Sequence, residues 1–445
     1  MPTATPDTLD ALSPAWARVA NEKIDRGEGV YLYAKSGRRL LDFTSGIGVT
    51  NTGHCHPAVV EAVREQASRL LFGQMNCVVP ETAGRLIDAL QPELPAGLDG
   101  YFFANSGAEA VEGAVKLARA ATGKPNIIAL EGGFHGRSAM TMALTSSKTV
   151  YRAGYQPLPA GVFFAPFPYG LSLKDGGVCL ANDRDACVAG RGCSGACDEA
   201  LSAFCLARLE HVLASQSAPS ETAAVLVEPV LGEGGYVPAP PAFLRGLRAL
   251  CDRHGLLLII DEIQSGFCRT GEWWYHTRAG AAPDILVMAK GIASGLPMSA
   301  FVAPRDLMAK MGPGTHGGTY GGGSAVAQAA ATATIGVLRE ERLAENAAEQ
   351  GERLTGKLLE LAERFPAIRE VRGPGLMIGC EFAAGAEGKV QAAAVAKRCA
   401  ADGLLLLTCG THGNVVRWIP PLIVTAEQID EGLAIFEDAL SIAAN

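Results

Sequence analysis

Lys290 stands at the end of an apolar run, Ile285-Leu286-Val287-Met288-Ala289, and is followed at once by Gly291. A lysine at the mouth of a buried strand sits where desolvation and neighbouring cations lower its pKa, as a Schiff-base amine requires. An ordinary solvated lysine would also fit that position. A second run, Leu257-Leu258-Ile259-Ile260, delivers Asp261 out of a hydrophobic wall, with Gln264 three residues on. Burying this carboxylate is costly unless a cation pairs with it; a protonated pyridine nitrogen would serve, and a structural turn cap is the other reading. In Asn105-Ser106-Gly107-Ala108-Glu109-Ala110 a strand breaks and a helix begins. Free N–H groups, the helix dipole and a hydroxyl make that turn suitable for a phosphate, although serine is also a common N-cap.

The elements that must position these groups alternate. Short runs rich in β-branched or aromatic residues (101–104, 127–130, 223–227, 256–260 and 284–289) are separated by segments of helical period. That pattern predicts βα units building a mainly parallel sheet. Each run ends in polar or Gly-rich residues, and in open α/β sheets ligands collect beyond the carboxyl ends of the strands, so the five termini should converge. After about residue 325 the texture changes to long amphipathic helices, one over 346–365 with Leu354, Leu358, Leu361 and Phe365 on a stripe. Thr425-Ala426-Glu427-Gln428 predicts a capping box opening a last helix with Ile429, Leu433 and Phe436 inward. The sequence therefore divides into a large domain over 49–325 and a small α+β domain over 326–445. Residues 1–48, with strand candidates at 30–33 and 40–43, are expected to join the small domain.

The 445 residues are 48% hydrophobic, enough for a large core, and 46 acidic against 38 basic residues give a net charge of −8 without a basic stripe. Nucleic acid is not an expected partner. No apolar stretch approaches the ~18 residues of a membrane span, and the first sixteen residues lack the features of a signal or transit peptide. The expectation is a soluble, cytoplasmic protein. Of 12 cysteines, seven are scattered, whereas Cys179, Cys187, Cys193, Cys197 and Cys205 cluster. The cluster matches no paired CxxC spacing and leaves open a metal site, a labile disulfide or an inert insertion.

Together with Gly133-Phe134-His135-Gly136-Arg137 and Glu228-Pro229, these pieces resemble the class III aminotransferases of pyridoxal 5′-phosphate (PLP) fold type I. The resemblance runs from Asp42-Phe43 and Asn51-Thr52-Gly53-His54 to the final helix, and is most specific over 261–267 and 288–291. It implies an α/β architecture: a large domain on a mainly parallel, seven-stranded-type sheet flanked by helices, with a smaller α+β domain. It further implies that Lys290 carries PLP and moves the proton, that Asp261 keeps the pyridine nitrogen protonated, and that Gln264 faces the phenolic oxygen. Phe134 would stack on the ring with His135 beside it, and Ser106, Gly107 and Ala108 would bind the phosphate. Thr319 would reach the phosphate of a neighbouring subunit, implying a homodimer with shared active sites. Many relatives continue this stretch with Gly-Asn-Pro, where this chain has Gly322-Gly323-Ser324.

Two arginines suggest a site that reads two carboxylates. By resemblance, Arg137 binds the carboxylate distal to the reacting amine and Arg417 the α-carboxylate of glutamate or 2-oxoglutarate. Glu228 resembles the glutamate that pairs with the second arginine when the substrate lacks an α-carboxylate, and Ile47 an apolar residue lining the substrate side. The stretch 404–414 is most similar to bacterial-type 4-aminobutyrate aminotransferases. The implied reaction transfers the ω-amino group of 4-aminobutyrate to 2-oxoglutarate by a ping-pong route through pyridoxamine phosphate. Acetylornithine, ornithine and other ω-amino acid aminotransferases share these residues. An aminomutase or decarboxylase should not need both arginines, and a silent PLP-binding protein would not need Lys290, Asp261, Gln264, Ser106 and Phe134 together.

Overall fold

The computed structural model describes residues 11–169, 195–383 and 391–444. Near the N-terminus β1 (Ile24–Glu28), β2 (Tyr31–Ala34) and β3 (Arg39–Asp42) form an antiparallel meander. The central sheet contains β4 (Gly100–Ala104), β5 (Asn126–Leu130), β6 (Val162–Ala165) and β7 (Thr222–Val227). A short hairpin, β8 (Val230–Leu231) and β9 (Val237–Pro238), follows. The sheet is completed by β10 (Leu257–Asp261), β11 (Ile285–Met288) and β12 (Ser299–Ala303).

Its order is β4-β12-β11-β10-β7-β5-β6. Only β12 runs against its neighbours. All five anticipated strands are present, and their carboxyl ends lie along one edge. Strands β6 and β12, which the sequence reading did not single out, complete the seven. Because β12 is antiparallel, its start lies at the same edge, and Ser299 Oγ donates to the Ser106 carbonyl at 2.8 Å.

Helices cover both faces, so the central strands are apolar throughout rather than alternating. Leu258 and Ile260 of β10 and Leu286 and Met288 of β11 point into one core. Ile259, Ile285 and Val287 point into the other, against Ala110, Val111, Ala114 and Leu117 of the helix Gly107–Thr122. That helix packs closely because Gly113 faces the Phe301 ring, where a Cβ would collide.

The C-terminal sheet comprises β13 (Ile368–Arg372), β14 (Ile378–Phe382), β16 (Leu407–Cys409) and β17 (Val415–Trp418), in the order β13-β14-β17-β16. Between them, β15 (Leu404–Leu405) pairs parallel with β3, tying the N-terminal meander to this part of the chain. The helix Leu343–Arg364 buries Leu354, Leu358 and Leu361. The last helix, Ala426–Ala444, opens with the expected reciprocal cap: Thr425 N–H donates to Gln428 Oε1 at 3.0 Å and Gln428 N–H to Thr425 Oγ1 at 3.4 Å. Ile429, Leu433 and Phe436 face inward.

Cys179, Cys187 and Cys193, and the side chain of Cys197, lie outside the described residues. Cys205, on the helix Gly195–Ser215, is a free thiol buried in the core, and burial raises its pKa to about 12. Among the described residues no group of three His, Cys, Asp or Glu side chains is placed to hold a metal, and no helix is long and apolar enough to cross a membrane.

Candidate active site

The strand ends surround a cavity of about 330 Å³. Lys290 lies in its wall, on a 3-10 turn after β11, in the left-handed region at φ +47°. The turn is held from behind: Asn51 fills the space where a Cβ on Gly291 would stand, and its Nδ2 donates to the Phe267 carbonyl at 2.8 Å. Burial lowers the Lys290 pKa, with only partial opposition from the charges of Asp261, Glu228 and Glu233. A larger share of neutral amine follows.

Asp261 is 3% exposed at the end of β10. Its Oδ2 is 2.8 Å from His135 Nδ1 and its Oδ1 accepts the Ile263 N–H at 3.1 Å. Burial alone would depress the His135 pKa, but the hydrogen bond and charge of Asp261 outweigh it and the net shift is upward. His135, which also lines the cavity, thus fixes the orientation of the carboxylate. Gln264 also lines the cavity, and its Oε1 is buried with no hydrogen-bond partner among the described residues.

Ser106 caps the helix Gly107–Thr122, and Glu109 reaches back to the N–H groups of Asn105 and Ser106 at 2.7 and 3.0 Å. The N–H groups of Gly107 and Ala108 have no partner among the described residues, and both residues line the cavity. A helix N-terminus with two free amides beside a hydroxyl is an anion seat.

The arginine arrangement corrects one expectation. Glu228 does not pair with Arg417; its carboxylate accepts the Phe134 N–H at 2.7 Å and the Gly232 N–H at 2.9 Å. Burial foremost, with help from the Asp261 charge, pushes Glu228 up to about 7. The partner of Arg417 is Glu233, whose Oε1 accepts from Nη1 at 2.5 Å. The reason is the turn after β8: Gly232, Gly234 and Gly235 let the chain fold back, and Gly410 N–H holds the Glu233 carbonyl at 2.9 Å. Arg417 is 4% exposed on β17, and Glu233 lies well below the usual carboxylate range because Arg417 outweighs its burial. Tyr151, also unanticipated, donates to Glu233 Oε2 at 3.0 Å. The sequence signal for Glu233 is a lone glutamate among glycines, Gly232-Glu233-Gly234-Gly235, whereas the pairing with Glu228 is what the family resemblance implies.

Phe134 lines the cavity and meets Tyr151 edge-on at 5.1 Å. Arg137 is exposed, its guanidinium 4.8 Å above the Tyr151 ring, and no carboxylate among the described residues pairs with it. Ile47 and Thr319 are not brought to this cavity within the single chain. Ile47 is 39% exposed beside a separate groove lined by Ile24, Leu32 and Leu405, and Thr319 is exposed on the loop between the helices Arg305–Met308 and Ala325–Glu340.

The sequence pattern of the family described as aminotransferase class-III matches residues 13–440. The chain belongs to the class III aminotransferases. This aminotransferase is 38% identical to the 5-aminovalerate aminotransferase of Pseudomonas putida over 94% of its own length and 93% of the relative's. It is 36% identical to the 4-aminobutyrate aminotransferase of Escherichia coli, covering 94% and 93%. It is also 38% identical to acetylornithine aminotransferase 1 of Bradyrhizobium diazoefficiens, covering 96% and 94%. Among solved structures, the ornithine aminotransferase of Toxoplasma gondii superposes with a TM-score of 0.82 at 27% identity, over 98% of this chain and 93% of that one.

The cofactor of this aminotransferase is PLP. The residues present fit it. The free Gly107 and Ala108 amides suit its phosphate, the buried Asp261 its ring nitrogen, the orphaned Gln264 side chain its phenolic group and the desolvated Lys290 amine its carbonyl.

Proposed function

We propose that this aminotransferase moves the ω-amino group of an ω-amino acid, 4-aminobutyrate first, onto 2-oxoglutarate, giving succinate semialdehyde and glutamate. The observation that carries the reading is the Arg417–Glu233 ion pair, whose Glu233 lines the cavity that holds Lys290, with Arg137 stacked on Tyr151, which bonds the same Glu233. An ω-amino acid has one carboxylate, at the far end, for Arg137; with no α-carboxylate present, Glu233 keeps Arg417 neutralised. Glutamate and 2-oxoglutarate have two, and their α-carboxylate would displace Glu233 from Arg417 while Arg137 holds the other end. The two arginines thereby admit both partners of a ping-pong exchange.

PLP, when bound, supplies the carbonyl that receives the amino group and a ring that accepts electron density. Lys290 Nζ, its pKa lowered by burial, would move the proton from the substrate carbon to the cofactor C4′. Asp261, oriented by His135, keeps the ring nitrogen protonated. Ser106, Gly107 and Ala108 hold the phosphate, and Phe134 packs against the ring.

We also assign cofactor binding to residues 49–325, and the smaller domain to 1–48 with 326–445. A homodimer is part of the same reading. Leu71, Val79 and Tyr320 are 63, 71 and 71% exposed, Tyr320 packs on Phe72, and Thr319 lies next to it. Such an apolar patch suits a second copy and would place Thr319 near that copy's phosphate seat.

The test is a single-turnover titration of the purified yellow enzyme with a panel of amines, following loss of the cofactor band and its return on adding 2-oxoglutarate or pyruvate. Fastest bleaching by 4-aminobutyrate with recovery on 2-oxoglutarate supports the reading. Faster bleaching by 5-aminovalerate, acetylornithine or ornithine replaces the substrate; bleaching by a carboxylate-free amine at the same rate removes the role of Arg137.

A further inference from the structure

The Glu233 carboxylate has two side-chain donors, Arg417 on Oε1 and the Tyr151 hydroxyl on Oε2. Tyr151 closes the short turn Thr149–Tyr151 and touches both carboxylate-reading regions: its hydroxyl reaches Glu233, and its ring lies under the Arg137 guanidinium. We propose that Tyr151 is a specificity-determining positioning residue, whose hydroxyl holds Glu233 after Arg417 has been taken by a substrate α-carboxylate. The inference rests on the Glu233–Arg417 exchange proposed above.

Glu233 has different partners in the two substrate-bound states. With an ω-amino acid bound, Glu233 has the Arg417 cation as well as the hydroxyl, and losing the hydroxyl removes the weaker of two partners. With glutamate or 2-oxoglutarate bound, Arg417 is occupied and the hydroxyl becomes the remaining side-chain donor to a carboxylate buried in the pocket wall. Losing it then leaves a desolvated anion without its hydrogen bond, the costlier case. Burial first, and the Glu233 charge second, push the Tyr151 phenol up to about 12, so it stays protonated and able to donate throughout the working range. Removal of the oxygen alone preserves the ring beneath Arg137 and its edge-on contact with Phe134, so the hydroxyl can be examined apart from the stack.

The experiment uses wild-type, Tyr151→Phe, Glu233→Ala and doubly substituted holoenzymes, with single-turnover concentration series for glutamate and 4-aminobutyrate. Because a hydrogen bond to a charged group is being removed, Tyr151→Phe should weaken apparent glutamate binding roughly ten- to hundredfold, and 4-aminobutyrate by less than about threefold. In the Glu233→Ala background the same change should have almost no effect, since no carboxylate remains to be held. Equal weakening of both substrates, or an undiminished effect in the Glu233→Ala background, would assign Tyr151 a purely structural role and overturn the inference. If Glu233→Ala itself leaves the balance between the two substrates unaltered, the exchange is wrong and the inference falls with it. If Glu233→Ala shifts the balance but Tyr151→Phe does not, the exchange stands and only the Tyr151 role is lost.

Discussion

Replacing Arg417 with leucine puts the buried ion pair to a quantitative test. Arg417 is 4% exposed, and its loss leaves Glu233 in the pocket wall with Tyr151 as its remaining side-chain donor. Breaking a buried pair by removing one partner costs about 3–5 kcal/mol, because the other charge stays desolvated. Glu233 borders an open cavity that water can enter, so the lower end, about 3 kcal/mol, is expected. The sign with pH follows from the same pair. Arg417 holds the Glu233 pKa below its ordinary 4.5, so the pair's contribution is present above that value and lost as pH falls through the folded-state value. In the variant Glu233 protonates more readily, and the deficit should shrink between pH 7.5 and pH 4.5. Urea unfolding of both proteins across that range measures it. A deficit under about 1 kcal/mol, or one independent of pH, would refute the reasoning, since exposed pairs behave that way. Replacing Glu233 with leucine as well should recover much of the loss.

Three other outcomes follow from the same geometry. Ser106→Ala should cost about 0.5–2 kcal/mol in unfolding free energy through loss of the N-cap, and should also weaken PLP retention in dialysis; retention equal to wild type would remove Ser106 from the phosphate seat. Glu228 is raised from 4.5 to about 7, so its protonated form favours the folded state, and stability should fall as pH rises through that interval; Glu228→Gln should flatten this part of the melting-temperature profile, and an unaltered slope would assign it elsewhere. Lys290→Ala should abolish turnover and the cofactor absorbance while leaving the melting curve cooperative, and a rapidly turning-over variant would overturn its assignment.

Residues whose role is set by a strand end were legible in the sequence. Lys290 and Asp261 follow apolar runs, and a parallel sheet carries such ends to one edge whatever the loops do. Two strands were missed: β6 has four residues, and β12 lies where the chain returns antiparallel, outside the βα alternation. The partner of Arg417 was misread for a different reason. Glu228 and Glu233 are five residues apart, and only the path of the glycine turn decides which carboxylate meets an arginine contributed from β17. Tyr151 carried no motif, because its meaning lies in contacts with Glu233 and Arg137, far apart in sequence. Of the five clustered cysteines only the Cys205 side chain lies among the described residues, and its thiol is buried in the core.

The most direct test of the central claim crosses the two arginines with two substrates: wild-type, Arg137→Ala and Arg417→Ala holoenzymes, each in single turnover with 4-aminobutyrate and with glutamate. Two-carboxylate reading predicts that Arg137→Ala impairs both substrates, whereas Arg417→Ala impairs glutamate by about a hundredfold or more and 4-aminobutyrate far less. Equal losses for both substrates in Arg417→Ala, or an Arg137→Ala enzyme that handles both as wild type does, would contradict it.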